Sequence, residues 1–336
     1  MTVSDDAAAR RAFVLGNFVQ ACCWHVERAP SPGETVEAQR FQIEPGGKGL
    51  NVAVGLHRLG ARVHTLIGCG QDQAGDALLA LPATEGLTTD HVHRLPGSSG
   101  WGSGLIGADG NNSIAVYLGA NRLLTASHAE QARPRIEAAH LVYGQFETAL
   151  PAVETAFDIA HARGVTTVLN PSPWQTPSRA LATTTHTLIV NALEAAALWG
   201  LADDFASSVE VATSRMASRL PALGSSWPAL RRLVVTLGPW GALGTERSDH
   251  EGRWSAWHAA APTIKAVDTV GAGDAFASGY CTAVLTGRPL PEALAWGNLC
   301  GAHVAAHHGV LAALPDAAWL HEASADARII APSILF

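Results

Sequence analysis

The chain has 336 residues, 48% of them hydrophobic and 15% charged, with a formal net charge of -7 at pH 7. This length fits one large α/β domain that carries an insertion, and the apolar share is enough for a substantial core. The acidic balance argues against a general nucleic-acid binder, which would present basic surfaces, so we expect a small molecule as the partner.

The cysteines and the N-terminus predict a cytoplasmic protein. The five cysteines form no C-x-x-C pair and no disulfide framework, which is typical of a reducing compartment. No stretch reaches the roughly 18 uninterrupted apolar residues of a membrane span, so no membrane partner is expected. Residues 1–11 are too polar for a signal peptide. We predict that they form a flexible tail before a domain over residues 12–330.

Apolar runs alternate along the chain with alanine-rich amphipathic stretches. The predicted strands are residues 12–15, 63–67, 141–143, 166–169, 188–191 and 233–236, and predicted helices begin at Leu50, Gly75 and Ala152. Strand followed by helix, several times over, indicates an α/β fold with a mainly parallel central sheet covered on both faces. Ligands bind such sheets at the carboxyl ends of the strands.

Two segments break this alternation. Residues 34–44 and 100–118 alternate like antiparallel strands, the second around an Asp-Gly-Asn turn at residues 109–111. They predict a small β-sheet whose strands come from about residues 17–45 and 100–118 and are inserted into the domain.

A Gly-Gly-Lys-Gly motif at residues 46–49 leads into the helix that begins at Leu50. Its spacing differs from G-x-x-x-x-G-K-[ST], so it is not a P-loop. Lys48 and Lys265 are the only lysines in the chain, and a lysine kept among glycines favours a role that needs its geometry. The alternative is a surface lysine in a flexible loop.

The most informative motif is Gly-Ala-Gly-Asp at residues 271–274, followed by an apolar stretch that predicts a helix ending near Gly287. Small residues let a phosphate approach the main chain, and a helix N-terminus offers free N–H donors and partial positive charge. Asp274, beside that anion site, would accept a proton from an attacking hydroxyl. The alternative is a glycine turn in which Asp274 caps the helix.

Taken together and in order, these motifs resemble the ribokinase-like pfkB family of carbohydrate kinases, from about Val14 to Pro315. The further landmarks are the segments at residues 31–36, 66–75, 119–121, 170–173, 191–194 and 236–241. The resemblance implies a ribokinase-like three-layer α/β/α fold in which the small β-sheet is a lid over the sugar site. Lids of relatives often pair with one another, so it also implies a homodimer through the lid.

The resemblance assigns roles to individual residues. Asp274 would be the catalytic base, and the backbone of Gly271, Ala272 and Gly273 would be the anion hole for the γ-phosphoryl group. The implied sugar-site residues are Gly46, Gly47, Lys48, Asn51 and Glu147. The implied nucleotide-site residues are Asn191, Thr236, Gly238, Gly241 and Asn298.

The resemblance also implies cofactors, namely ATP and Mg²⁺. Glu194 would hold the Mg²⁺ through water, although Glu194 and Glu147 could instead be solvated carboxylates. Asp268 and Val270 are candidate ligands of a monovalent cation such as K⁺. Ala313 stands where potassium-activated relatives often carry a serine, so nothing in the side chains supports that activation.

One departure bears on the substrate. Val19 and Ala21 occupy the positions at which ribokinases usually carry an Asn and a hydroxyl-clamping Asp. A buried sugar hydroxyl left without partners costs roughly 1–3 kcal/mol, which argues against ordinary ribose. Three alternatives remain: Asn17 or Gln20 restores the polarity, the substrate is less hydroxylated, or it carries an apolar or aromatic part beside Phe18 and Trp24.

The histidines do not predict a structural metal site. His303 and His307 lie four residues apart on a probable helix, and His91 and His93 alternate as on a strand. Neither pair has an acidic or cysteine partner nearby in the sequence.

The sequence therefore predicts an ATP-dependent, Mg²⁺-requiring carbohydrate kinase that phosphorylates a primary hydroxyl of a sugar or nucleoside-like molecule. The alternatives are a kinase for a non-carbohydrate alcohol and a catalytically silent binding protein on the same fold.

Overall fold

The computed structural model describes residues 10–81, 85–108, 112–201, 205–248 and 252–325, and the backbone of residues 333–334. The described strands are β1 Arg11–Leu15, β2 Val19–His25, β3 Arg40–Gly46, β4 Arg62–Cys69, β5 Val92–Arg94, β6 Gly100–Ile106, β7 Asn112–Tyr117, β8 Leu141–Gln145, β9 Thr166–Asn170, β10 Thr187–Asn191, β11 Arg232–Thr236, β12 Ala242–Arg247, β13 Trp254–Ala259 and β14 Ser333–Ile334. The described helices are α1 Lys48–Arg58, α2 Gln73–Ala80, α3 Ala126–Gln131, α4 Arg133–Glu137, α5 Leu150–Ala162, α6 Arg179–Thr184, α7 Ala192–Leu198, α8 Val209–Ser226, α9 Ala272–Leu285, α10 Leu290–Ala305 and α11 Ala317–Ser324.

The larger sheet has the strand order β14-β13-β12-β11-β10-β9-β8-β1-β4-β5. Its strands from β11 to β5 run parallel, and β12, β13 and β14 extend it antiparallel. Because β1, β8, β10 and β11 run parallel in one sheet, the loops after these strands all open at the same edge of the sheet. That edge carries the motifs.

Helices cover both faces of this sheet. Apolar residues of α1, α2, α9, α10 and α11 pack on one face in a single buried cluster. Those of α3 to α8 form a second cluster on the opposite face. Strands between two apolar layers read as nearly continuous hydrophobic runs, as β1 and β8 do, and this is why the sequence revealed them. The predicted three-layer α/β/α fold is confirmed.

The smaller sheet has the order β3-β2-β6-β7, and we call it the lid. Side chains alternate between its two faces, so Ala21 and Cys23 lie on one face and Cys22 and Trp24 on the other. The first face is directed at the main domain. Asn112 Nδ2 donates to Thr269 Oγ1 at 3.1 Å, and the Val310 N–H donates to Glu44 Oε1 at 3.0 Å. We call it the inner face, and the opposite one the outer face.

Some predicted boundaries differ from the structure. The segment at residues 34–44 becomes a strand only from Arg40, because Glu34 instead accepts hydrogen bonds from Arg28 and from the Ser31 N–H. Such local bonds compete with strand pairing. The tail predicted for residues 1–11 ends earlier, since Arg11 pairs with Arg62 in the main sheet. Residues 1–9 and the predicted turn at residues 109–111 lie outside the described residues.

All five cysteines are free thiols, and Cys22 is the one that is not buried. Among the described residues, no helix combines the length and the hydropathy that a membrane span requires.

Candidate active site

The side chains of the predicted site converge at the carboxyl edge of the parallel strands. Asn17 follows β1, Glu147 follows β8, Asn191 ends β10 and Thr236 ends β11. Gly16 and Gly49 allow α1 to start directly against the end of β1, because a Cβ on either residue would overlap the backbone of the other. This contact places Lys48 and Asn51 beside the loop after β1.

Asp274 enters this edge from the first turn of α9. Gly271 precedes the helix with a φ of 77°, a left-handed conformation that glycine adopts without strain. The Asp274 carboxylate is only 8% exposed and accepts a hydrogen bond from Asn51 Nδ2 at 2.7 Å. Among the described residues, the Asp274 side chain accepts from Asn51 and not from an N–H of its own helix, which does not support the alternative of a glycine turn capped by Asp274.

The surroundings of Asp274 set its charge. Burial raises the pKa of Asp274, while Lys48 and the bond from Asn51 lower it, and the net shift is upward. A carboxylate with a raised pKa is a stronger base than an ordinary aspartate, and the charge of Lys48 favours its ionised form. This is a suitable state for accepting a proton from an alcohol.

Lys48 lies among acidic side chains rather than in a flexible surface loop. Burial lowers the pKa of Lys48, but Asp274, Glu147 and Glu194 raise it by more, so the ammonium group stays charged. The three carboxylates thus share one cation at the carboxyl edge. Removing that cation would leave buried charges uncompensated, which is costly.

Glu147 belongs to a buried network that the sequence analysis did not identify. Asn17 Nδ2 donates to Glu147 Oε2 at 2.9 Å, and Asn17 Oδ1 accepts from the Gly49 N–H and from Gln145 Nε2. Burial raises the pKa of Glu147, against the effect of Lys48. Glu147 is therefore not a solvated carboxylate. Asn17 is occupied with positioning Glu147 and Gly49, so it does not replace the missing sugar clamp.

Asn191 and Glu194 form a reciprocal capping box at the start of α7. Asn191 Oδ1 accepts from the Glu194 N–H at 2.8 Å, and Glu194 Oε2 accepts from the Asn191 N–H at 2.9 Å. Glu194 is only 6% exposed and acts electrostatically on Lys48. The box holds one carboxylate oxygen of Glu194 and leaves Oε1 for another ligand. The solvated alternative is wrong for this residue as well.

Three of the residues assigned to the nucleotide lie near the ends of β11 and β13: Gly238 and Gly241 follow β11, and Asn298 of α10 bonds the end of β13. Gly238 begins an exposed turn at Gly238–Trp240, and Gly241 has a φ of 90° in close contact with the backbone of Ala260. Asn298 Nδ2 donates to the carbonyls of Ala259 and Ala260. Its amide donors thus hold the segment that packs on Gly241. Asn298 therefore shapes this part of the site, and its donors are not left for a ligand.

Space for an anion exists at the start of α9. A Cβ on Gly273 would meet no atom within 4 Å, whereas one on Gly271 would collide with Val310. Gly273 lies in the first turn of α9, and the N–H groups and dipole of a helix N-terminus attract anions. The charge of Lys48, which acts on Asp274 in the same turn, adds to this positive potential.

The inner face of the lid carries polar and apolar groups at the position of the missing clamp. Glu44 of β3 pairs with Ala21 and Gln42 pairs with Cys23, so these two polar side chains lie on this face, and Glu44 Oε1 accepts from the Val310 N–H. On the other side of β2, Ala21 pairs with Gly102 and Cys23 pairs with Gly104 of β6. These two glycines pair in turn with Val116 and Ile114 of β7. Gln20 and Trp24 point to the outer face, and Phe18 is fully buried. Two of the three alternatives therefore lose support: Gln20 does not restore polarity, and Phe18 and Trp24 do not line the site.

Comparisons with known proteins show which proteins this chain resembles. The family profile described as pfkB family carbohydrate kinase matches residues 10–317. A ribokinase from Schizosaccharomyces pombe is 30% identical over 310 residues, covering 90% of this chain and 94% of that protein. A deoxyribokinase from Salmonella typhi is 29% identical over 265 residues, covering 78% and 82%. The structure of an Arabidopsis thaliana ribokinase complexed with ribose and ATP superposes with a TM-score of 0.80 at 22% identity, covering 94% and 99%.

The bond between Asn51 and Asp274 generates a prediction about pH. Because that bond lowers the pKa of Asp274, Asn51→Leu will raise this pKa further. A base must be ionised to act, so the acidic limb of the kcat/KM profile will move to higher pH. Steady-state kinetics from acidic to mildly basic pH measure this shift.

Asn112→Leu is the matched control. Asn112 of β7 bonds Thr269, which lies in the loop that leads to Asp274, but it does not bond Asp274 itself. Its acidic limb will stay in place. A uniform loss of rate in Asn51→Leu with an unmoved limb would show that Asn51 does not tune the base.

Proposed function

Since the chain belongs to the pfkB family of carbohydrate kinases and is an ATP-dependent sugar or nucleoside kinase, we propose that Asp274 takes the proton from a primary hydroxyl of its acceptor. The observation that carries this is the buried Asp274 carboxylate, which lies at an open helix N-terminus and is bonded to Asn51. A carboxylate of raised pKa beside a site for anions suits the role of a general base.

The chain's own residues supply what phosphoryl transfer requires. Such reactions depend on the alignment of the hydroxyl with the phosphate and on compensation of spread negative charge. Lys48 and the N–H groups at residues 271–273 provide positive potential. Asn51 fixes one oxygen of Asp274, and Asn51 Oδ1 is buried with no partner among the described residues, so it would accept a hydroxyl of the acceptor.

The acidic side of the site fits Mg²⁺. Glu194 Oε1 is left free by the capping box, in a buried position near Lys48. Oxygen ligands of this kind, often through water, are those that Mg²⁺ takes beside nucleotide phosphates. When bound, the ion would neutralise phosphate charge. Asp268 and Val270 remain candidate ligands of a monovalent cation, with the Val270 N–H already bonded to Asp268 Oδ1 at 2.9 Å.

The acceptor we propose is less hydroxylated than ribose, or bears an apolar group against the lid. Around Ala21 the inner face offers two glycines and two exposed aliphatic side chains, with Ile114 52% and Val116 39% exposed, and the neighbouring Glu44 already accepts the Val310 N–H. A deoxyribokinase among the relatives is consistent with the first choice. The free thiols of the chain support a cytoplasmic location.

We also propose a homodimer that forms through the outer face of the lid. Large apolar side chains from all four strands are exposed there, namely Trp24, Phe41, Ile43, Trp101 and Tyr117. Trp24 and Phe41 stack with ring centroids 4.2 Å apart. Contiguous apolar patches of this kind mark protein interfaces. Covering this face with a second lid would remove it from water.

Removal of the base gives the first test. In Asp274→Asn we expect kcat to fall by about 10²–10⁴-fold, the usual contribution of a general base, with little change in KM. ADP release would be measured over a panel of sugars, deoxy sugars, nucleosides and non-carbohydrate alcohols. Asp158→Asn, which removes an exposed carboxylate of α5, is the control and should match the wild type.

The panel also decides between the alternatives. A response limited to non-carbohydrate alcohols would indicate the competing kinase, and no response to any acceptor would indicate a silent binding protein. Equal rates for Asp274→Asn and wild type on a responsive acceptor would refute the assignment of the base.

A second prediction concerns the vacated clamp. Ala21→Asp places a carboxylate on the inner face, so kcat/KM for ribose will rise by about tenfold or more if two hydroxyls find a charged partner. Gln20→Asp puts the same group on the outer face and should give no gain. If Ala21→Asp improves no polyol, the pocket is shaped elsewhere.

A third prediction concerns assembly. Trp101→Glu will convert the dimer to a monomer, because a charge cannot be buried unpaired at an apolar interface. Trp240→Glu is the matched control, since both tryptophans are 43% exposed and Trp240 lies far from the lid in the sequence. Sedimentation velocity reports the mass. A wild-type protein that stays monomeric at high concentration would contradict the proposal.

A further inference from the structure

The far end of the lid brings together three side chains that are distant in sequence. His25 is the last residue of β2, Asp268 lies in the loop before α9, and His308 follows α10. One ligand atom of each lies within 4.8 Å of the others. The two imidazole rings meet edge to face with centroids 5.1 Å apart. This cluster, the His25–Asp268–His308 cluster, was not predicted from the sequence.

The cluster contains polar atoms whose bonding is incomplete. Among the described residues, Nε2 of His25 is shielded from solvent and has no hydrogen-bond partner. Leaving a buried polar group without a hydrogen-bond partner is unfavourable. Asp268 is only 2% exposed, and its Oδ1 accepts from the Val270 N–H, which leaves Oδ2 for another partner. His308 is exposed, so a solute can reach the cluster.

We propose that the His25–Asp268–His308 cluster binds a divalent transition-metal ion such as Zn²⁺. Two imidazoles and one carboxylate are ligands that Zn²⁺ takes, and three protein ligands leave a position for water. The set differs from the all-oxygen sets that suit Mg²⁺ and other hard cations. Ligand atoms around Zn²⁺ lie about 2.0–2.2 Å from the ion, so the three side chains would draw together on binding.

The ion would join two parts of the molecule that must separate during turnover. His25 belongs to the lid, whereas Asp268 and His308 belong to the main domain. Asp268 also begins the loop that leads to Asp274. Opening of a lid often limits product release, so an ion at this cluster would hold the lid closed and slow turnover. The effect on turnover rests on the proposed kinase function, whereas metal binding does not.

Binding is tested without nucleotide, since ATP chelates metals. Calorimetry with Zn²⁺ and the visible absorption of bound Co²⁺ should report one ion for each chain. His25→Ala and His308→Ala should each weaken binding by at least about tenfold, because even partners outside the coordination sphere contribute about 10–100-fold. His308 is exposed, so its variant should keep the fold, which a thermal melt verifies.

His307→Ala is the matched control, since His307 neighbours His308 but pairs with His303 at a centroid distance of 4.5 Å. Its Zn²⁺ affinity should equal that of the wild type. Affinity lost in His307→Ala, or unchanged in both His25→Ala and His308→Ala, would overturn the proposal. Either result would place the ion outside the cluster.

The link that the ion would form between the lid and the main domain can be measured separately, by amide hydrogen exchange. Zn²⁺ should slow amide hydrogen exchange in β2 in the wild type by several-fold, and have no effect in His308→Ala. This measurement does not depend on catalysis, so it separates failure of the metal site from failure of the kinase assignment. Zn²⁺ that binds the cluster yet leaves β2 exchange unchanged would show that the ion does not close the lid.

Discussion

The site depends on one constraint: a buried carboxylate, Asp274, must stay ionised at the start of a helix. Burial favours the neutral acid, and Lys48 and the Asn51 amide oppose it. Both come from the first turn of α1, which reaches Asp274 because Gly16 and Gly49 let two backbones touch. The glycines of the Gly-Gly-Lys-Gly motif therefore matter as much for the placement of Lys48 as for the approach of a ligand.

From this constraint the division of the site follows. Positive potential from the start of α9 and from Lys48 lies between the lid and the loops after β10 and β11, where an anion would be held. The lid closes the other side, anchored through Asn112 and Glu44 to the main domain. On its inner face the positions beside Ala21 on β6 and β7 are small or aliphatic, and Glu44 of β3 is bonded to Val310, which shifts the expected acceptor away from ribose. The outer face of the lid is apolar, and a second subunit would cover it.

Much of this could be predicted because it is local in the sequence. Buried parallel strands appear as apolar runs, and glycine-rich helix starts carry their chemistry in a few adjacent residues, so the fold and Asp274 were identified from the chain alone. Asn17, Gln145 and the His25–Asp268–His308 cluster could not be found in this way. The bonds that link Asn17 to Gln145 and Glu147, and the approach of His25 to Asp268, join residues more than 100 positions apart. No short pattern encodes such contacts. Glu34 shows the same limit at short range. Its side chain accepts from the nearby Ser31 N–H, and the strand that alternation predicted from residue 34 begins only at Arg40.

The role of Asp274 is tested most directly by a crystal structure that holds both an acceptor on which the enzyme is active and a non-hydrolysable ATP analogue. We predict the reacting hydroxyl at about 2.6–3.2 Å from an oxygen of Asp274, in line with a terminal phosphate held by the backbone of Gly271 to Gly273. A hydroxyl bonded instead to Glu147, with the phosphate away from the start of α9, would contradict it.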